Sequence, residues 1–405
     1  MTASSRTGCG SRPLRVGLNL VYLVRDSGGA GTYARELLRA LLEEEPETSV
    51  MAFVSSEVPA DVLETPWPGA VDFVRLPVNV THGPPGAFAL AVAAQWGAIP
   101  LLAARRRLDV VHGLANVTPL MSPRVATLVT MLDLIWIHHP ETMEAAATKG
   151  MLRVAPVSAR RADRVLALSE SAAADIARTL GLSRSKIDVA HMGVRLEAPR
   201  PTPARERDLR VKLELGEEPI LLCVAQKRAH KNLAGLLRAL ALLSEDSARL
   251  VLPGTPTPHE AELQRLAAEL GVAHRVRFPG WLSDEELEGL YHLATCFVLP
   301  SFQEGFGLPV LEAMARDLPV ACSNVSSLPE VAGDAALLFD PRDPKAIALA
   351  LDRLLTEATL RDLMRVKGRE RCRRFSWRAT ARATLESYRR AIAQRSGLGS
   401  TPLTS

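Results

Sequence analysis

Short, apolar, β-branched runs alternate with helical patterns along this chain, stop for one polar stretch, and then begin again. The first series reads LRVGLNL (14–20), SVMAFV (49–54), VDFVRL (71–76), DVVHGL (109–114), VATLVTML (125–132), RVLAL (164–168) and KIDVAHM (186–192). The second reads PILLCVA (219–225), ARLVLPG (248–254), RVRFPG (275–280), TCFVLP (295–300), PVACS (319–323) and AALLFD (335–340). Several runs are continuously apolar, as strands buried on both faces of a parallel sheet must be. Between the first two, Ala34, Leu37, Leu38 and Leu41 follow the i, i+3, i+4, i+7 stripe of a helix packed on a sheet.

The interruption, EAPRPTPARERDLRVKLELGEEP, is rich in proline and charge and reads as a linker. Two series of strand–helix alternation imply an α/β protein of two Rossmann-like, doubly wound parallel-sheet domains. The expected division is a disordered tail at 1–13, a first domain at 14–196, a linker at 197–218, a second domain at 219–377, a helix at 378–394 and a disordered tail at 395–405. In such sheets ligands bind beyond the carboxyl ends of the strands, so the cleft between the domains is the expected site.

Composition narrows the function. A net charge of +4 over 405 residues, with Lys and Arg scattered, carries no basic stripe of a nucleic-acid binder. That mild positive bias suits an anionic small substrate or a peripheral membrane contact. Five cysteines are odd in number and widely spaced, which argues against zinc and a disulfide framework and for a reducing cytoplasm. The N-terminus has no apolar core of a signal peptide. Residues 85–104, PGAFALAVAAQWGAIPLLAA, are uncharged and precede Arg105, Arg106 and Arg107. Their alanines, with Gln95, Gly97 and Pro100, are too weakly apolar for a span; a helix packed on the domain, or touching a membrane or acceptor, is expected.

Three loops carry candidate chemistry. SFQEGFG (301–307) follows a strand and opens into LPVLEAMARD, whose Pro309 suits a first helical turn. Its glycines admit a ligand to the backbone, and the helix start beyond them suits a phosphate. Glu312 offers two acceptor oxygens to a ribose diol, and Glu304 faces what hangs beyond the phosphates; the plainer reading is a dipole-complementing Glu312 and a solvated Glu304. SGGAGTYARELL (27–38) puts a second glycine-rich helix start on the cleft. AQKRAHKN (225–232) offers Lys227, Arg228, His230 and Lys231 to a diphosphate, or to solvent.

From about residue 14 to 392 the chain resembles a retaining GT-B glycosyltransferase of glycosyltransferase family four. The resemblance rests on Glu304, seven residues and Glu312 with GFGLP between them, and on GWLSDEELEGLYHLATCFVLPS, SSLPEVAGDAALLFDP, LSESAAADIARTLGLSRSKIDVAHMGV and the closing FSWRATARATLESYRRAI. It implies a cytoplasmic enzyme, peripheral at most to the inner membrane face, moving a hexose from a UDP- or GDP-linked donor to a hydroxyl of a glycan, lipid-linked or small-molecule acceptor. No cofactor or metal is expected, because no Asp-x-Asp metal motif stands in a loop.

By that resemblance Glu312 holds the ribose, and Glu304 contacts the donor sugar beside Asp133 at the catalytic centre. Gly305, Phe306, Gly307 and Leu308 present backbone N–H groups to the donor. Lys231, with Arg228, binds phosphate, and Gly29 lets the first domain approach. The acceptor surface is expected to include residues 81–104, 112–119 and 132–140, with Phe88, Trp96 and Trp136. Leu132 departs from the family where a histidine is usual, with His138 and His139 nearby; Gln226 replaces an arginine, and Asp317 a glycine. Leu132 and Gln226 keep one alternative in play, a nucleotide-sugar-binding protein without turnover; another GT-B enzyme such as an epimerase is a further one.

Overall fold

The computed structural model describes residues 12–25, 27–80, 87–119, 124–142, 145–196 and 202–397. Residues 1–11 and 398–405, most of the two predicted tails, lie outside the described residues, as does the side chain of Phe88. All thirteen apolar runs are strands. The first seven are β1 (Arg15–Leu20), β2 (Ser49–Val54), β3 (Val71–Arg75), β4 (Val110–Gly113), β5 (Ala126–Met131), β6 (Arg164–Ala167) and β7 (Ile187–Val189). The other six are β8 (Ile220–Leu222), β9 (Arg249–Val251), β10 (Val276–Arg277), β11 (Cys296–Leu299), β12 (Val320–Ser323) and β13 (Ala336–Phe339).

They form two wholly parallel sheets, ordered β3-β2-β1-β4-β5-β6-β7 and β10-β9-β8-β11-β12-β13. Strand order reverses between β1 and β4 in the first sheet and between β8 and β11 in the second. Doubly wound sheets bind ligands at such switch points, beyond the strand ends. The loops after β1, β8 and β11 are the three singled out above.

The helices that frame these loops are α1 (Gly28–Glu44), α2 (Ala87–Arg105), α3 (Ala145–Arg161), α4 (Glu170–Leu180), α5 (Pro203–Lys212), α6 (Leu233–Leu240), α7 (Asp284–Leu293), α8 (Leu308–Ala315), α9 (Leu328–Ala332) and α10 (Trp377–Arg395). Ala34, Leu37, Leu38 and Leu41 of α1 are buried as their spacing predicts. Helix α10 returns to the first sheet: Ala381, Leu385 and Tyr388 are buried, and the Trp377 and Tyr33 rings lie 6.5 Å apart.

A buried polar chain anchors that helix. His112 Nδ1 lies 2.8 Å from the Tyr388 hydroxyl and its Nε2 2.8 Å from Thr130 Oγ1, which is 3.0 Å from the Tyr33 hydroxyl. Burial drives the His112 pKa down to about 3, so the ring is neutral.

Two expectations need correction. Much of the predicted linker is α5, whose Leu209 is buried and packs 3.0 Å from the position a Cβ would take at Gly289. Lys212 and Arg205 of α5 pair with Glu286 and Glu285 in the acidic first turn of α7. Charge there records a helix held to another helix, not a free connector. Trp136, placed on the acceptor surface, is only 2% exposed and packs in the core beneath β5 and β6.

Cys223, Cys296, Cys322 and Cys372 are buried free thiols, each pushed up to about 12 chiefly by burial. Among the described residues no helix is long and apolar enough to cross a membrane.

Candidate active site

The site begins with how two neighbouring strands end. After β8 the chain makes a single tight turn, Ala229–Lys231, which Asn232 closes in the left-handed conformation at φ 53°. The Asn232 side chain accepts from Gly235 N, capping α6, and donates to Pro300 O (3.1 Å) and Pro341 O (2.7 Å). One buried asparagine thus binds the loop after β8 to the end of β11, and Lys231 meets Glu304. Lys231 Nζ lies 2.7 Å from Glu304 Oε1, which also accepts from Ser301 Oγ at 2.7 Å. Both side chains are largely buried.

Glu304 N still donates to Ser326 Oγ at 3.2 Å, but beyond it the glycine loop has its carbonyls tied and its amides free. Ser326 Oγ donates to Glu304 O (2.7 Å), Ser327 Oγ to Phe306 O (2.8 Å) and Ser169 Oγ to Gly305 O (3.0 Å). Among the described residues, the N–H groups of Gly305, Phe306, Gly307 and Leu308 have no protein acceptor. Gly307, at φ 98°, directly precedes α8, and a side chain there would strike Leu328 at 2.5 Å. Successive free amides at a helix start form an anion-binding concavity.

Glu312 lies in the second turn of α8, not the first, which removes the simple dipole role. Its Oε2 accepts from the Tyr291 hydroxyl at 3.4 Å, while Oε1 has no protein partner among the described residues. Burial raises its pKa, against the pull of Arg316. Arg316 is itself paired with Glu288 and lies 4.8 Å from the Tyr291 ring centre.

The first domain contributes Asp133, on the loop after β5. Its Oδ1 accepts from Ile135 N at 3.1 Å, burial raises its pKa, and the charges of Lys231, Glu304 and Arg228 act on it. A Cβ at Gly305 would lie 1.8 Å from Leu132 O and 3.3 Å from Asp133 Cβ, so the two domains touch here through a glycine. Leu132, at the histidine position, packs its side chain against the core.

His139 sits at the junction, its ring 6.1 Å from His230 and 6.5 Å from Phe302, whereas His138 is engaged with Asp175 at 2.9 Å. His230 is buried with Nδ1 unpartnered, and burial, then Lys231, lowers its pKa to about 3. Arg228 donates to Thr142 O across the junction at 3.0 Å.

The glycine loop after β1 and the basic loop after β8 differ in what they leave open. Gly28, at φ 52°, carries the conformational requirement at the start of α1, and Nε2 of exposed Gln226 lies 3.9 Å from where a Cβ there would stand. At Gly29 a Cβ would meet nothing within 4 Å, so it borders open space. Lys227 is not available to a diphosphate: wholly buried, it donates to Gly254 O at 2.6 Å and pairs with Glu260 at 3.2 Å. Sequence reasoning overlooked Ser169, His191, Ser326, Ser327 and Glu330, although the last three lie in the quoted SSLPEV.

Residues 27–198 match the family model described as Glycosyltransferase Family 4, and residues 204–371 the one described as Glycosyl transferases group 1. A relative from Mycolicibacterium hassiacum, an MMP alpha-(1->4)-mannosyltransferase, is 30% identical over 421 residues, covering 91% of this chain and 96% of the relative. O-antigen chain mannosyltransferase B of Escherichia coli is 32% identical over 228 residues, which span 56% of this chain and 60% of that protein. Among solved structures, a sucrose-phosphate synthase from Thermosynechococcus elongatus superposes with a TM-score of 0.75 at 26% identity, covering 94% of this chain and 100% of its own.

Proposed function

The chain belongs to the group 1, family 4 glycosyltransferases of GT-B fold, and from that premise we propose that it moves a hexose from a nucleoside-diphosphate sugar to an acceptor hydroxyl, with retention and without a metal. The observation that carries the donor reading is the run of four free amides at residues 305–308, on the loop whose Glu304 pairs with Lys231. As the bond from the anomeric carbon to the phosphate oxygen breaks, negative charge gathers on the diphosphate. Free amides, the α8 dipole and Lys231 stabilise it in a dry cleft.

The new bond from the acceptor oxygen to the same carbon forms on the same face. The departing phosphate takes the hydroxyl proton, so no covalent sugar–enzyme bond is required. Glu304 positions the sugar, and Glu312 holds the ribose through its free Oε1. Asp133, whose Oδ2 has no protein partner among the described residues, orients the acceptor hydroxyl. Arg228 and Gly29 border the diphosphate. Both curated relatives are named as mannosyltransferases, which puts mannose first among the hexoses to test.

Calorimetric titration with UDP, GDP, ADP and TDP, then their sugar conjugates, should give micromolar binding of one nucleotide. Glu312→Ala should weaken it by about 1.5–3 kcal/mol, as loss of a charge-assisted hydrogen bond. Chelator should leave turnover intact. Binding of a nucleotide without turnover of any of its sugar conjugates would favour the non-catalytic reading, for which Leu132 and Gln226 stand; no binding at all would remove the donor reading.

The acceptor side is proposed to rest on an anionic membrane surface. On α2, Leu90 is 62% and Leu101 53% exposed, on one outward face with Ala93, Gly97 and Ala104, and exposed Arg105, Arg106 and Arg107 follow. Exposed apolar side chains beside a basic cluster suit contact with an anionic lipid surface. Co-sedimentation should be seen with vesicles containing phosphatidylglycerol and not with phosphatidylcholine alone, and should fall in Leu90→Asp/Leu101→Asp. Equal recovery with both vesicles, or with the double variant, would withdraw the membrane assignment.

A further inference from the structure

A closed ring of hydrogen bonds joins the glycine loop of the second domain to one helix of the first. The N-terminus of α4 is its centre. Ser169 caps that helix, accepting from Ala172 N at 3.0 Å, while the same hydroxyl donates to Gly305 O. One residue on, the amides of Glu170 and Ser171 find their acceptor in the other domain. Glu330 Oε1 accepts from Glu170 N at 2.8 Å and Oε2 from Ser171 N at 3.0 Å. His191, on the segment leaving β7, places Nε2 2.7 Å from Glu330 Oε1. Its ring lies 6.1 Å from Phe306, the aromatic residue of the glycine loop.

Glu330 projects from α9, and the residues just before that helix, Ser326 and Ser327, hold the carbonyls of Glu304 and Phe306. The path therefore closes: α4 to Glu330, through α9 to the two serines, to the loop carbonyls, and back through Ser169 to α4. A carboxylate at a helix start satisfies orphan amides and meets the positive end of the helix dipole. Here the carboxylate and the helix belong to different domains, so the contact exists only when the domains are docked.

We propose that Glu330 is a positioning residue: by docking α4 it fixes the glycine-loop carbonyls and so aims the free amides of residues 305–308 at the donor diphosphate. This rests on the donor reading above. Glu330 touches no reacting atom, and its effect passes through Ser169, Ser326 and Ser327.

The test uses the full chain, the variants Glu330→Ala, Glu330→Gln and Ser169→Ala, and the double variant Glu330→Ala/Ser169→Ala, with thermal melts to establish folding. Small-angle scattering of the unliganded protein comes first: Glu330→Ala should raise the radius of gyration as the domains part, and Glu330→Gln, which keeps one acceptor oxygen, should raise it less. Titration with the nucleoside diphosphate that binds the unmodified protein follows. Glu330→Ala should weaken binding about tenfold, Glu330→Gln less, and Ser169→Ala comparably. Because both act through one ring, the double variant should fall well short of the product of the single losses.

Unchanged scattering in Glu330→Ala would overturn the docking role. Opening with unchanged affinity, or losses that multiply independently, would overturn the coupling to the loop. Failure of the unmodified chain to bind any nucleoside diphosphate would instead remove the donor reading, and with it the aim assigned to the amides, while scattering still reports whether Glu330 docks α4.

Discussion

Replacing Gly305 with alanine should cut kcat/KM by about 100-fold while moving the melting temperature little. The added Cβ would stand 1.8 Å from the carbonyl oxygen of Leu132, a backbone atom of the other domain. Carbon and carbonyl oxygen do not approach much closer than about 3.3 Å, so the glycine loop and the Asp133 loop must part by more than an ångström. A misplacement of about 1 Å between reacting groups is enough for a loss of that order. Gly305 lies on the junction and in neither sheet, so the strands keep their packing and the cost to stability is confined to the apolar cluster that continues across the junction. Steady-state kinetics and calorimetric melts on the same preparation read both quantities. Full activity in the alanine variant would mean that the domains stand farther apart during turnover.

Stability should fall steeply as pH drops from 6.5 to 5, before most carboxylates begin to protonate. Burial holds His112 and His230 at a pKa of about 3, against 6.5 when exposed. A depressed pKa favours the folded state fully above 6.5, and that advantage is lost as pH falls toward 3, because the unfolded chain takes up protons the core refuses. Over the interval from 6.5 to 5 each histidine removes about 2 kcal/mol. Asp133 and Glu312, raised by burial, act in the opposite sense over a window that runs upward from the ordinary carboxylate range, and so offset part of the loss. Urea midpoints at half-unit steps measure the slope, and His112→Phe should make it shallower whatever the variant's absolute stability. A flat profile over that interval would show that the core accepts protonated imidazole.

The sheets were legible because parallel strands buried on both faces leave an unbroken apolar run, as in SVMAFV and TCFVLP. Helix α5 was not. Its proline and charges resemble a connector, and only Leu209 marks the buried side. Within the site, the Glu304–Glu312 spacing and Lys231 stood out through their motif, and the fold brings Lys231, Glu304 and Asp133 together. Lys227 and Lys231 could not be told apart by composition: they share one basic loop, and what separates them is that Gly254 and Glu260, in the segment after β9, hold the first. Ser169 and Glu330 were beyond reach for another reason. Their partners Gly305 and Glu170 lie 136 and 160 residues away, and only the docking of two sheets selects them.

The return of α10 reverses the order in which this molecule can be finished. Strand β7 ends at Val189, yet Tyr388, which completes the buried chain through His112 and Thr130 to Tyr33, is made only after every strand of the second sheet. At roughly 5–20 residues per second of synthesis, that interval is about 10–40 seconds. During it the second domain can close while the first, older on the ribosome, still lacks a helix and leaves part of its core wet. The half born first is therefore the half completed last, and in the cell it is the one that needs shelter.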